Sequence, residues 1–205
     1  MNYTPHPGAR FPIGAFLLAG GASRRMGTDK ALLPYSGEIL LVHLAKILSE
    51  VAEDFHILAP AGRYERYGYQ VLEDQRSGCG PLAGIETALT HSPFDWNLII
   101  ACDHALIDAA WLQNLARAAL NSANISCIAS AESKDFVHPL LAAWHKTALP
   151  IVRSALNSGK FRVKDVISKL ETQILIPPDP KILANWNRPE DLLNSTGKGK
   201  ANCGG

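Results

Sequence analysis

The sequence predicts an α/β fold with a mostly parallel central sheet. Three observations predict it. Short apolar runs of strand length recur along the chain, and they alternate with segments whose apolar residues fall at helical spacing. The runs over 13–19 and 96–101 are apolar without alternation, as in strands buried on both faces. Three of these runs, over 13–19, 69–74 and 96–103, end at glycine or an acid. Such a pattern implies βαβ units, right-handed crossovers and a mainly parallel sheet.

The elements follow in order. Residues 1–12 are polar and rich in proline, and a loose leader is expected there. The run 13–19 stops at Gly20–Gly21 and reads as the first buried strand. Over 38–54, Leu40, Leu44, Ile47, Leu48 and Val51 form one apolar stripe of an amphipathic helix. Strands follow over 55–60 and 69–74, the second ending in acids. A glycine loop then runs into a helix over 77–92, where Pro81 suits the first turn. Residues 96–103 are a strand ending at Cys102–Asp103, and 109–122 are a helix. Strands are expected over 125–130 and 138–144, helices over 148–159 and 160–170, and a strand over 172–177. A last helix starts at 188–194, with Pro189 early in it. The domain is therefore expected over 13–194, with a disordered tail over 195–205.

Bulk composition excludes several classes of function. The chain has 205 residues, 47% of them hydrophobic and 19% charged, with a formal net charge of +1. This balance suits a soluble globular protein and leaves no electrostatic footprint for nucleic acid. No stretch approaches the roughly 20 apolar residues of a membrane span. The N-terminus lacks a signal peptide's apolar core. Cys79, Cys102, Cys127 and Cys203 are widely spaced without a CxxC pair, which argues against a zinc site or a disulfide framework. Free thiols in a reducing compartment follow, so a cytoplasmic location is expected.

Three clusters carry candidate chemistry, and each follows an apolar run. The first is "LLAGGASRRMGTDKALL", residues 17–33. Glycines at a strand end let backbone N–H groups approach a ligand and form an anion nest. Arg24, Arg25 and Lys30 add charge that a phosphate would neutralise. The stretch is neither a dinucleotide fingerprint nor a P-loop, so a solvated glycine turn is the alternative. The second is Asp103, at the end of a rigid strand. It suits magnesium, which takes one or two carboxylates plus phosphate and water. The alternative is a cap for the helix beginning near Asp108. The third is Asp74, placed to accept hydrogen bonds from a nucleobase or ribose, or else to form a turn. Asn185 and Asn187 precede the last helix as caps, or an asparagine carbonyl there serves as a second magnesium ligand. Arg162 and Lys164 are either anion contacts or a solvated helix face.

These residues together resemble the molybdenum cofactor guanylyltransferases of the nucleotidyltransferase superfamily. The stretch 17–33 is similar to the family pattern LAGGxSxRMGxDKxLL. The resemblance continues, in the family's order, through "VLED", "GPLAGIETAL", "ACD", "HPLLAAW" and "NWNRPEDL". It spans 13 to about 194. It implies a Rossmann-like three-layer fold, magnesium (Mg2+) as cofactor, and transfer of GMP from GTP to molybdenum-bound molybdopterin with release of pyrophosphate. It implies nucleotide contacts at Leu18, Ala19, Gly20 and Gly21, phosphate contact at Lys30, and nucleoside contact at Asp74. It also implies magnesium at Asp103 and a supporting role for Asn187. The candidate catalytic set is Lys30, Asp103 and Arg25. Molybdoenzymes or their chaperones are the implied protein partners. A cytidylyl-transferring relative acting on molybdopterin, or one acting on a sugar or alditol phosphate, is the alternative. Two positions depart from the family. Ala59 and Pro60 stand where an asparagine often contacts the nucleotide, and His104–Ala105–Leu106 replaces a Pro-Phe type pair after Asp103.

Overall fold

The computed structural model describes residues 8–20, 29–123, 125–133 and 136–186. The strands are β1 (Phe11–Leu18), β2 (Pro34–Tyr35), β3 (Glu38–Ile39), β4 (Ala52–Leu58), β5 (Val71–Leu72), β6 (Trp96–Ala101), β7 (Cys127–Ser133), β8 (Phe136–His145) and β9 (Thr172–Leu175). The helices are α1 (Leu40–Val51), α2 (Pro81–His91), α3 (Ala109–Leu120), α4 (Leu149–Asn157) and α5 (Val163–Ile167). Short 3-10 turns include Lys30–Leu32 and Pro180–Leu183.

Seven strands form one sheet in the order β5-β4-β1-β6-β8-β7-β9. All pairs in it are parallel except β6–β8 and β8–β7, so of its seven strands β8 runs against the rest. The mostly parallel α/β sheet expected from the sequence is therefore observed. β2 and β3 form a separate small hairpin.

The core lies on both faces of the sheet, which makes three layers. Ile13, Ala15 and Leu17 of β1 point to the side of α1 and α3, with Leu44, Leu48, Leu112 and Leu115. Phe16 points to the opposite side, with Leu82 and Ile85 of α2 and Val152 of α4. Alternation of side chains on a strand, with burial on both faces, explains why β1 is continuously apolar. A buried leucine or phenylalanine on either face contributes about 1.5–3 kcal/mol of transfer free energy.

Several boundaries differ from the sequence expectation. The segment 38–54 holds three elements, not one helix. Glu38–Ile39 pairs with Pro34–Tyr35 across Ser36 and Gly37, whose φ values of 48° and 86° are those of a tight hairpin turn. At the other end, β4 begins at Ala52, immediately after α1. The strand expected over 69–74 shortens to Val71–Leu72, an edge strand paired on one side only. Pro81 does open α2. The expected last helix, the tail and most of the leader lie outside the described residues.

Candidate functional site

Register places the candidate residues at one edge of the sheet. Leu18 is opposite Leu58 on one side and Ala101 on the other, and Leu58 is opposite Leu72. These four residues form a row at the carboxyl ends of β1, β4, β5 and β6. Gly20, Asp74 and Asp103 each come two residues past that row. The chain builds outward from β1 through β4 to β5, then crosses back to add β6 on β1's other side. Ligands of open α/β sheets bind at such a reversal, outside the carboxyl ends of the strands.

The first strand delivers the backbone to this edge and then leaves the ladder. The N–H of Ala19 donates to Leu58 O at 2.9 Å, and the N–H of Cys102 donates to Leu18 O at 3.1 Å. Ala19 is buried and Gly20 is exposed, so the open backbone begins at Gly20. Leu18 packs against α2 where Gly84 offers no side chain. A Cβ there would collide with Leu18 Cδ2 and sit 3.4 Å from Asp74 Oδ1. Glycine at 84 thus lets α2 close on both Leu18 and Asp74. Gly21, Arg24, Arg25 and Asn187 lie outside the described residues.

Lys30 and Asp103 meet through one residue that the sequence reading passed over. Lys30 Nζ donates to Trp186 O at 3.4 Å, and the N–H of Trp186 donates to Asp103 O at 2.7 Å. The main chain of Trp186, 156 positions from Lys30, therefore joins Lys30 to the backbone of Asp103. Its indole is buried against the core, and its ring lies 6.2 Å from that of Tyr35. No polar pattern marks Trp186 in the sequence, because its backbone does this work.

Asp103 is not a helix cap. Asp108 caps α3, its carboxylate accepting from the N–H of Trp111 at 2.7 Å. Asp103 Oδ1 is buried and has no hydrogen-bond partner among the described residues, and His104 Nε2 lies 3.9 Å from it. His104 is itself buried, its ring edge-on to that of His138 at 5.4 Å. Burial depresses the His104 imidazole to about 4, against the pull of Asp103 in the other direction. His104 is thus a neutral wall beside the carboxylate. The thiol of Cys102 is pushed up to about 12 by burial and by the nearby carboxylates of Asp103 and Asp29, against the opposing pull of Lys30.

Asp74 is the second orphaned carboxylate. Its Oδ1 is buried without a partner, and burial, reinforced by Glu73, raises its carboxyl above the usual range. Its loop is held from the other side. The N–H of Gln75 donates to Thr87 Oγ1 at 3.2 Å, and Arg76 makes a two-point contact with Glu86 at 2.7 and 3.1 Å. Glu86 is buried in α2 and also meets Arg153 of α4 at 3.4 Å. A further network surrounds Asp29, which caps the turn bearing Lys30 and pairs with Arg63.

Chemically, the described residues of this edge offer exposed backbone at Gly20, the Lys30 ammonium, and carboxylates at Asp74 and Asp103 that each keep an unpartnered oxygen. Among the described residues no group of three or more His, Cys, Asp or Glu could hold a metal ion by itself. A metal at Asp103 would take this carboxylate as one ligand, with substrate phosphate and water among the others, as magnesium does on phosphates. The described helices include none long and apolar enough to cross a membrane.

Residues 15–173 match the model of the family described as the MobA-like NTP transferase domain. A Pseudomonas fluorescens protein named molybdenum cofactor guanylyltransferase is 37% identical over 200 residues, covering 94% of this chain and 95% of its own. A Flavobacterium johnsoniae protein named probable molybdenum cofactor guanylyltransferase is 34% identical over 160 residues, covering 78% of this chain and 83% of its own. Among solved structures, molybdopterin-guanine dinucleotide biosynthesis protein A from Archaeoglobus fulgidus matches with a TM-score of 0.75 at 21% identity. It covers 89% of this chain and 96% of that one, and it supports the fold.

Proposed function

This chain belongs to the MobA-like NTP transferase family, and on that basis we propose that it transfers GMP from GTP to molybdenum-bound molybdopterin, releasing pyrophosphate. The observation that carries the proposal is the meeting of Lys30 and Asp103 across the main chain of Trp186. It ties Lys30 through Trp186 to the backbone of Asp103, whose Oδ1 has no partner among the described residues, at the edge where the chain opens at Gly20. Relatives named guanylyltransferase at 34–37% identity support guanine as the base.

In this reading the triphosphate lies along the backbone leaving β1, with Lys30 on its phosphates and Asp74 toward the nucleoside. Lys30 exchanges its bond to Trp186 O for a phosphate oxygen and neutralises charge there. The orphaned Oδ1 of Asp103 fits a magnesium ion, which when bound would neutralise phosphate charge and orient the leaving group. The acceptor is a phosphate monoester with a second pKa of about 6, so it is already ionised near neutral pH. No strong general base is needed, and burial leaves His104 beside Asp103 only weakly basic, which is consistent with that. Catalysis then rests on positioning and charge stabilisation.

The test is pyrophosphate release with GTP, magnesium and loaded molybdopterin. By analogy with removing one preorganised donor, Lys30→Ala should lower the rate roughly 10²- to 10³-fold. Asp103→Asn should lower activity and weaken the magnesium dependence together. Normal turnover in Asp103→Asn would remove the metal assignment.

A further inference from the structure

Tyr64 sits in the segment after β4, five residues beyond the position where Ala59 replaces the family's asparagine. Its side chain is fully buried. A buried hydroxyl needs a partner, and this one has two within reach: Asp29 Oδ2 at 2.9 Å and Ala19 O at 3.1 Å. It has one proton to give, and the carboxylate is the stronger acceptor. Burial and the Asp29 carboxylate push the phenol far above its ordinary range, so the hydroxyl keeps that proton. The other oxygen of Asp29 accepts from the N–H of Ala31 at 3.2 Å and so caps the 3-10 turn Lys30–Leu32. Arg63 closes on Asp29 Oδ2 with two nitrogens, at 3.0 and 3.1 Å.

The post-β4 segment therefore grips the residue immediately before Lys30, and through Ala19 it also touches the end of β1. We propose that Tyr64 is a positioning residue for Lys30, acting through Asp29 to hold the turn that aims the lysine at the triphosphate. Arg63 supports the same carboxylate from its solvent side. In this chain the segment after β4 thus serves the nucleotide indirectly, by fixing the phosphate-binding lysine, at a place where no asparagine can touch the nucleotide. The inference rests on the reading of Lys30 as a phosphate ligand.

Calorimetric titration of GTP with magnesium tests it on the full chain, in wild type, Tyr64→Phe, Lys30→Ala and the double variant. Tyr64→Phe keeps the buried ring and removes one charge-assisted hydrogen bond, so an affinity loss of about 10-fold is expected. The double variant should bind no more weakly than Lys30→Ala alone, because residues acting through one another are not additive. A Tyr64→Phe loss that persists undiminished in the Lys30→Ala background overturns the proposal, as does wild-type affinity in Tyr64→Phe when Lys30→Ala binds weakly. Wild-type affinity in Lys30→Ala overturns the phosphate reading itself. If Tyr64→Phe does not fold, Arg63→Gln decides, since the Arg63 side chain is 33% exposed and its loss leaves the core intact. It should weaken GTP binding several-fold in the Lys30 background only. An equal loss in the Lys30→Ala background overturns the proposal.

Discussion

Asp103 and Asp108 stand five positions apart and do different work. Asp108 satisfies the first turn of α3, a contribution of about 1 kcal/mol. Asp103 keeps an acceptor oxygen buried and without a partner among the described residues, at a cost in stability that a bound cation would relieve. The sequence showed both carboxylates but not which one caps the helix, since either lies close enough to its start. His56 provides a prediction at the same scale, away from the site. It is buried, its Nε2 lies 3.1 Å from Asp54, and its ring packs on Phe16 and His91. Burial depresses its pKa, Asp54 opposes that, and His91 adds to it. The unfolded chain takes up a proton below an ordinary imidazole value of about 6.5, and the folded chain does so only at lower pH. The stability His56 contributes is therefore complete above that value and is lost as pH falls toward the depressed one. Melting temperature should fall as pH drops below about 6.5, and His56→Phe should flatten that slope. An unchanged slope would show that His56 is not the group responsible.

At the scale of elements, the strands with continuous apolar runs were legible because both faces of a parallel sheet are buried. β1 and β6 are the clearest cases. The reversed direction of β8 was not legible, since "HPLLAAW" reads as a strand either way. The hairpin of β2 and β3 hid inside a helical pattern because Ile39 continues the apolar stripe of α1, while Ser36–Gly37 makes the turn. The site residues Lys30, Asp74 and Asp103 were legible as charges placed after apolar runs. Trp186 and Tyr64 were not, because one acts through its backbone and the other through a partner 35 residues away. The loop carrying Asp74 depends on α2 in the same indirect way. Glu86 holds Arg76 of that loop and Arg153 of α4. Both arginines are partly exposed and can rehydrate, so Glu86→Ala should cost about 2 kcal/mol rather than the larger penalty of stranding a buried charge. Denaturant unfolding measures that loss. GTP affinity should fall with it as the Asp74 loop loosens, and GTP binding unchanged in a destabilised Glu86→Ala would separate the loop from the nucleoside.

For the whole molecule, the sheet provides a row of four strand ends, and the chain reverses direction of growth beside β1. Among the described residues, Leu18 lies in that row, and Ala19, Gly20, Asp74 and Asp103 come one or two positions beyond it. The three-layer fold is shared among transferases of this kind, so topology sets where a nucleotide binds, while side chains and loops decide which one. The most direct measurement is therefore product formation with loaded molybdopterin and magnesium, supplied with GTP or with CTP in parallel. The account predicts that GTP yields the guanine dinucleotide cofactor and one pyrophosphate per turnover, and that CTP yields little of either. Turnover with CTP in preference to GTP would contradict it.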